Sequence, residues 1–170
     1  MTQDTTATLP TGTEVASLVA ALRHLYDTIG DCLDDNRIED WPQFFTDDAR
    51  YRLISRENHD AGLPIAAIFC DGKPMLLDRV LAHREAQVFE PRALRHFISG
   101  VCITAVLPDG RVEARANVMV TEAMSDEAPR VFLVGRYLDR LRHTAEGWRL
   151  EQRDVVYDNH SLYRAVVVPV

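Results

Sequence analysis

Residues 131–158, VFLVGRYLDRLRHTAEGWRLEQRDVVYD, contain the pattern that decides the fold. Residues 131–143 and residues 148–158 are two long runs of strand-forming side chains. Between them, Ala145, Glu146 and Gly147 have the small and polar composition of a tight turn. We therefore predict a long antiparallel hairpin in this part of the chain.

A second hairpin precedes the first one. Residues 95–107 lead into the turn Pro108-Asp109-Gly110, and residues 111–123 return from it. Pro-Asp-Gly is typical of a chain reversal, because Pro presets one turn dihedral and Gly adopts the positive φ that many turns need. With a loop over residues 124–129, the chain from residue 95 onwards is expected to be an antiparallel meander of four strands.

The N-terminal part has helical periodicity instead. Apolar residues recur every three or four positions over residues 15–33, which predicts a helix of about five turns with one apolar stripe. Thr11 and Glu14 have capping-box spacing at its start, and residues 34–36 are expected to end it. Residues 1–12 are rich in Thr and are predicted to form a disordered arm.

Four shorter elements connect this helix to the meander. They are a helix over residues 38–45, a strand over residues 49–56, a strand over residues 65–70 and a helix over residues 74–88. In the first of these strands Arg50, Arg52 and Arg56 fall on one face, which predicts a charged face on the sheet. Helices followed by a meander indicate an α+β fold, with the helices packed on one face of a curved, mostly antiparallel sheet. Residues 13–170 are expected to form one domain.

Composition excludes several classes of partner. The net charge of −7 argues against nucleic acid or an anionic membrane surface, because both require clustered basic residues. No apolar run is long enough to span a membrane, and residues 1–9 have no basic, apolar leader. Cys32, Cys70 and Cys102 are isolated from one another, which is typical of reduced core cysteines in a cytoplasmic protein.

The sequence lacks the known cofactor motifs. A Rieske cluster needs Cys-x-His and Cys-x-x-His turns, but the residues two positions after the cysteines are Asp34, Gly72 and Thr104. The six histidines show no spacing typical of a mononuclear iron site. Glycine-rich nucleotide loops and a G-x-S-x-G elbow are also absent from the sequence.

One candidate acid–base site remains. Tyr26 and Asp31 lie on or near the stripe of the first helix, and His96 lies at the start of the first long strand. A helix packed into the mouth of a curved sheet would bring Asp31 to the imidazole of His96 and form a general-base dyad. In the alternative interpretation Tyr26 is a core residue, Asp31 faces solvent and His96 is structural.

The opening pattern, a helix followed by Trp-x-x-Phe-Phe at residues 41–45 and Asp47-Asp48, resembles the cone-shaped nuclear-transport-factor-2-like fold. Three further segments resemble the β, or small, subunits of aromatic-ring-hydroxylating dioxygenases. They are MLLDRV and HRE within residues 75–85, EPRALRHFISG at residues 90–100, and the closing hairpin GRYLDRL, GWRL and RDVVYD within residues 135–158. Within that family, DWPQFF at residues 40–45 and NHDAGL at residues 58–63 are most similar to subunits for terephthalate, salicylate or anthranilate.

This resemblance implies a structural subunit with no cofactor of its own. Its large, or α, subunit would hold the Rieske [2Fe-2S] cluster and the mononuclear iron, commonly with three copies of each subunit. A reductase, with or without a ferredoxin, would supply electrons. Two other classes remain open, a stand-alone dehydratase or isomerase that uses Asp31 and His96, and a cofactor-free binding module, because fold alone does not separate them.

The last residues of the sequence, AVVVPV at 165–170, are apolar on both faces of an extended chain and need burial. Pro169 prevents long ladder pairing, so we predict that this tail docks against a neighbouring subunit. The alternative is that it folds back onto its own sheet. The charged strand faces are likewise expected to meet a partner.

Overall fold

Six strands form one sheet, in the order β2-β1-β6-β5-β4-β3. The structure is a computed structural model that describes residues 12–86 and 90–170. The strands are β1 Phe45–Ser55, β2 Ile68–Asp71, β3 Ala93–Val106, β4 Val112–Ala123, β5 Arg130–Thr144 and β6 Gly147–Tyr157. The helices are α1 Thr13–Asp34, α2 Arg56–Asp60 and α3 Lys73–Leu81, with a 3-10 turn at Trp41–Phe44 and a π turn at Ala82–Ala86. The predicted α+β fold is confirmed.

The first helix buries the predicted stripe. Leu22, Tyr26, Ile29 and Leu33 are buried, and α1 packs mainly on β3. Its N-cap residue is Gly12, and Thr11 of the predicted capping box lies outside the described residues. The arm predicted for residues 1–12 lies, apart from Gly12, outside the described residues.

The predicted second helix is wrong in extent. Only a 3-10 turn forms at Trp41–Phe44, and β1 already begins at Phe45. The aromatic side chains explain this early change, because Trp41 lies edge-to-face on Phe45 and on Tyr51, each with ring centroids 5.1 Å apart. The extended backbone at Phe45 directs its side chain toward this cluster, because successive side chains of a strand point to opposite faces. Burial of three aromatic rings therefore outweighs local helix propensity.

The four-strand meander forms as predicted, with each strand end within two residues of its expected position. Gly135 is required where β5 passes β6, because a Cβ atom there would overlap the carbonyl oxygen of Val156. The two strands therefore approach more closely at this point than side chains would permit.

The pairing of β1 is not local. β1 pairs in parallel with β6, and Tyr51 lies beside Arg153 and Leu53 beside Val155. On its other edge β1 pairs antiparallel with β2, so β1 lies inside the sheet. The sheet is thus mostly antiparallel with one parallel pair.

Alternation along the strands gives the sheet two different faces. The inner face carries Ala49, Tyr51 and Leu53 of β1, which are fully buried, and α1 packs on it. The outer face carries Arg50 and Arg52, as predicted for a charged face. The short helix α2 contacts β1 and β6. Its His59 lines a cavity on the outer face together with Arg140.

The apolar tail folds back onto its own domain, which is the alternative that the sequence left open, and its docking on a neighbouring subunit stays a prediction. Val167 and Val170 are buried. The Tyr51 hydroxyl lies 3.0 Å from the carbonyl oxygen and 3.1 Å from the amide nitrogen of Val170. Arg79 of α3 donates to the carbonyl oxygen of Val166 at 2.6 Å, and the His83 ring lies 3.2 Å from that of Val167. The tail thus closes the core between α3 and β1.

Candidate functional site

The structure does not join the three residues of the predicted acid–base site by hydrogen bonds, although Asp31 and His96 line the same small cavity. Tyr26 is fully buried in the core beneath α1. Asp31 lies on the exposed side of the same helix and forms no hydrogen bond with His96 among the described residues. The His96 side chain points from β3 into the contact between strand and helix and is fully buried. The predicted hydrogen-bonded pair of Asp31 and His96 is therefore not formed in this structure.

The acid that meets His96 is Asp34, the last residue of α1. One Asp34 carboxylate oxygen lies 2.6 Å from His96 Nδ1, and the two oxygens accept from the His96 backbone N–H at 3.1 and 3.0 Å. The guanidinium of Arg95 approaches the same carboxylate at 3.5 Å from the solvent side. The Asp34 side chain is only 3% exposed, so the carboxylate is held almost entirely by these partners.

Helical spacing explains why Asp34 and not Asp31 faces the strand. Tyr26, Gly30 and Asp34 are four residues apart and therefore share one face of α1. Gly30 faces β3, since a Cβ atom at this position would lie 3.5 Å from His96 Cβ. Asp31 is rotated by about 100° from that face. The i, i+4 pattern from Tyr26 was the available sequence evidence for Asp34.

The other ring nitrogen of His96, Nε2, is buried and has no hydrogen-bond partner among the described residues. A cavity of about 140 Å³ lies beside it, lined by Asp27, Gly30, Asp31, His96 and Ile98. A cavity of about 150 Å³ accommodates benzene, so an aromatic acid exceeds this space. Asp27 and Asp31 would also repel a carboxylate. The arrangement is therefore unsuited to an aromatic acid as substrate.

A buried ion pair fills the interior between α1 and the sheet. Arg153 of β6 donates to the carboxylate of its cross-strand neighbour Asp139 at 2.7 and 3.0 Å, and both side chains are almost completely buried. The guanidinium carbon lies 3.9 Å from the Tyr137 ring centroid and 5.1 Å from that of Tyr26. Burial raises the pKa of Tyr137 to about 12. The pKa of Tyr26 is also raised, mainly by burial and to a smaller extent by the negative charge of Asp139. Both phenols thus stay protonated near neutral pH, which excludes Tyr26 as a general base.

A further cleft lies at the end of the sheet where β1 begins. Its volume is about 680 Å³. Its lining includes three basic residues, Lys73, Arg142 and Arg149, and two acidic residues, Asp47 and Asp48. Lys73 and Asp47 lie 3.3 Å apart, and Arg142 contacts Asp48 at 3.1 Å. These charges neutralise one another, so the cleft has no unpaired acid–base group that would mark it as catalytic.

Metal ligands do not converge in the part of the chain that the structure describes. Its His, Cys, Asp and Glu side chains form no group of three or more that could hold a metal ion. Cys32 and Cys70 are buried and reduced, and burial raises the pKa of the Cys32 thiol to about 11, away from the thiolate that metals require. The residues present therefore do not fit a Rieske cluster or a mononuclear iron.

A family model described as the ring-hydroxylating β subunit matches residues 30–164. The chain belongs to that family. It is thus the small subunit of an aromatic-ring-hydroxylating dioxygenase, a part of an oxidoreductase system that also includes a large oxygenase subunit. None of the helices in the described ranges is long and apolar enough to cross a membrane.

Curated relatives of this ring-hydroxylating β subunit support the assignment. The chain is 34% identical over 138 residues to the anthranilate 1,2-dioxygenase small subunit of Burkholderia cepacia, covering 81% of this chain and 85% of that one. It is 33% identical over 140 residues to a β subunit of the terephthalate 1,2-dioxygenase terminal oxygenase of a Comamonas species, covering 81% and 89%. The resemblance found in the sequence is therefore confirmed.

A solved structure agrees with the fold. The β subunit assigned to an aromatic-ring-hydroxylating dioxygenase of Novosphingobium aromaticivorans is 36% identical and superimposes with a TM-score of 0.82 over 91% of this chain and 98% of that one. The cone-shaped nuclear-transport-factor-2-like fold is thereby confirmed for this β subunit.

Proposed function

We propose that this chain is a structural, non-catalytic subunit of a Rieske non-haem iron oxygenase that acts on an aromatic carboxylate. The observation that carries the proposal is the filled interior. The space in which a cone-shaped enzyme would hold its substrate is occupied by the Arg153–Asp139 pair and two tyrosine rings. Anthranilate and terephthalate, named for the two curated relatives, both carry a carboxylate.

The proposal extends to the assembly. Three copies of the chain would join three large subunits in the cytoplasm, and the large subunits would hold the [2Fe-2S] cluster and the mononuclear iron. A reductase, with or without a ferredoxin, would deliver the electrons. The absence of converging metal ligands in the described residues supports this division of labour.

The first test measures iron and activity together. The isolated chain is expected to contain less than about one-tenth of an iron per molecule, since its thiols and imidazoles do not converge. With the large subunit and a reductase, the complex should oxygenate anthranilate, terephthalate, benzoate or salicylate, with product followed by liquid chromatography. About one iron per isolated chain, or oxygenation by the isolated chain, would contradict the proposal.

A second candidate function rests on the Asp34–His96 pair. A carboxylate bonded to Nδ1 leaves Nε2 as the basic nitrogen, which is the arrangement of a general base. The adjacent cavity of about 140 Å³ would admit only a small molecule. This candidate replaces the predicted Asp31–His96 dehydratase or isomerase, because Asp34 holds the imidazole.

Replacing His96 with Ala separates the two candidates. If the pair is structural, the reconstituted oxygenation rate should stay within about threefold, while loss of the buried ring lowers the unfolding free energy by about 2–4 kcal/mol. The rate is measured on assembled complex and the stability by urea titration. His160→Ala, at an exposed histidine, is the control and should change neither quantity. A rate loss of about a hundredfold or more with assembly intact would assign acid–base chemistry to His96.

A further inference from the structure

The side chains of three arginines on the outer face of the sheet have no hydrogen-bond or ion-pair partner among the described residues. They are Arg50 on β1, Arg115 on β4 and Arg136 on β5, and their guanidinium groups form neither a hydrogen bond nor an ion pair with any described residue. Carboxylates are not scarce, since the chain has 26 acidic and 19 basic residues. Neighbouring arginines on this face do have partners, in the pairs Arg52–Asp154 at 2.6 Å, Arg56–Asp158 at 2.6 Å and Arg140–Glu113 at 2.9 Å.

Strand register places two of these arginines, Arg115 and Arg136, beside each other. Arg136 lies opposite Asn117, and Asn117 is two residues along β4 from Arg115, so the arginines are diagonal neighbours on one face. Both line a concave surface of about 310 Å³, together with the side-chain amide of Asn117. Two adjacent like charges destabilise the isolated subunit, and an incoming anion would remove that repulsion.

An exposed apolar row adjoins the arginines. Phe97 of β3 lies opposite Met119 of β4, and Met119 lies opposite Val134 of β5. Phe97 is 50% exposed and Val134 is 41% exposed. Apolar side chains beside a pair of arginines have the composition of a protein interface, in which aromatic residues, Met and Arg are enriched.

We propose that this surface, formed by Arg115, Arg136 and the row Phe97–Met119–Val134, binds a segment of the large oxygenase subunit. The segment presents carboxylates to the two guanidinium groups and an apolar side chain to the row. This inference rests on the proposed function, because it identifies where the small subunit meets its large partner. Arginine is suited to the role, since its planar guanidinium binds a carboxylate through two hydrogen bonds.

Charge disfavours a second copy of this chain in a two-fold contact, and a contact between copies around a three-fold axis is an outcome that the test below distinguishes. A two-fold interface brings the same patch of both copies together, so Arg115 and Arg136 would face the arginines of the other copy. The carboxylates of this face are already bound to Arg52, Arg56 and Arg140 and would not compensate that repulsion. An acidic segment on a different chain satisfies both the charges and the apolar row.

Charge reversal tests the proposal. The variant Arg115→Glu/Arg136→Glu is co-expressed with the large subunit, and the dissociation constant and native mass of the complex are measured. We expect at least tenfold weaker binding of the large subunit by this variant, and we expect the binding of the wild-type chain to weaken as the salt concentration is raised.

The control Arg23→Glu/Arg37→Glu makes the same change in charge at exposed positions on and just after α1 and should bind normally. Should the first variant fail to fold, Arg115→Ala/Arg136→Ala should still bind more weakly and lose most of the salt dependence.

Each contrary outcome is distinct. Unchanged binding of the large subunit by a folded variant would overturn the proposal. Unchanged large-subunit binding with altered self-association of the small subunit would instead assign this surface to contacts between copies, which also overturns it. If the wild-type chain itself does not assemble with the large subunit, the proposed function fails, and this inference fails with it.

Discussion

Arg153→Met is expected to lower the free energy of unfolding by about 3–5 kcal/mol, because it leaves the Asp139 carboxylate buried without its partner. In a domain of this size the melting temperature should fall by about 10 °C. Thermal unfolding followed by circular dichroism measures the effect on the isolated subunit.

Two further variants give this prediction its controls. Arg149→Met removes a pair whose acid, Glu146, is 81% exposed, and it should cost less than about 1 kcal/mol. Arg153→Met/Asp139→Leu removes both buried charges and should recover much of the lost stability. A single Arg153→Met variant as stable as wild type would show that the buried pair contributes nothing to the fold.

Truncation after Ala165 is expected to destabilise the domain itself by about 5 kcal/mol. It removes the buried side chains of Val167 and Val170, and it leaves the Tyr51 hydroxyl without its two backbone partners. Urea titration of the isolated subunit measures the loss, and light scattering measures the mass of the remaining species.

Tyr51→Phe is the matched variant for the truncation. It keeps the ring beside Trp41 and removes only the hydroxyl, so a loss of about 1–3 kcal/mol is expected. A truncated chain with wild-type stability but altered oligomeric state would contradict the structure and assign the tail to an interface.

Local sequence patterns were sufficient to predict much of the fold. The meander strands and α1 follow from periodicity and turn residues, because their partners are neighbours along the chain. The 3-10 turn at Trp41–Phe44 was not predictable in the same way. Its extent depends on contacts with Tyr51, whose position is fixed only by the sheet.

The candidate site, like the fold, was predicted from the sequence only in part. Sequence reasoning paired His96 with an acid near the end of α1, but it selected Asp31 where the structure has Asp34. Three residues of helix change the direction of a side chain by about 60°, so the choice depends on how α1 is rotated over β3. Gly30 faces β3 on the same side of α1 as Asp34, but it lacks the apolar side chain by which a stripe is recognised in the sequence.

The parallel pairing of β1 with β6 has a consequence during synthesis on the ribosome. Arg52 and Asp154, which face each other across this pair, are 102 residues apart in the chain. A nascent chain therefore exposes the apolar side of β1 until nearly all of the domain has emerged, and the sheet closes only afterwards. Such late closure predicts slow folding and a need for chaperone protection at high rates of expression.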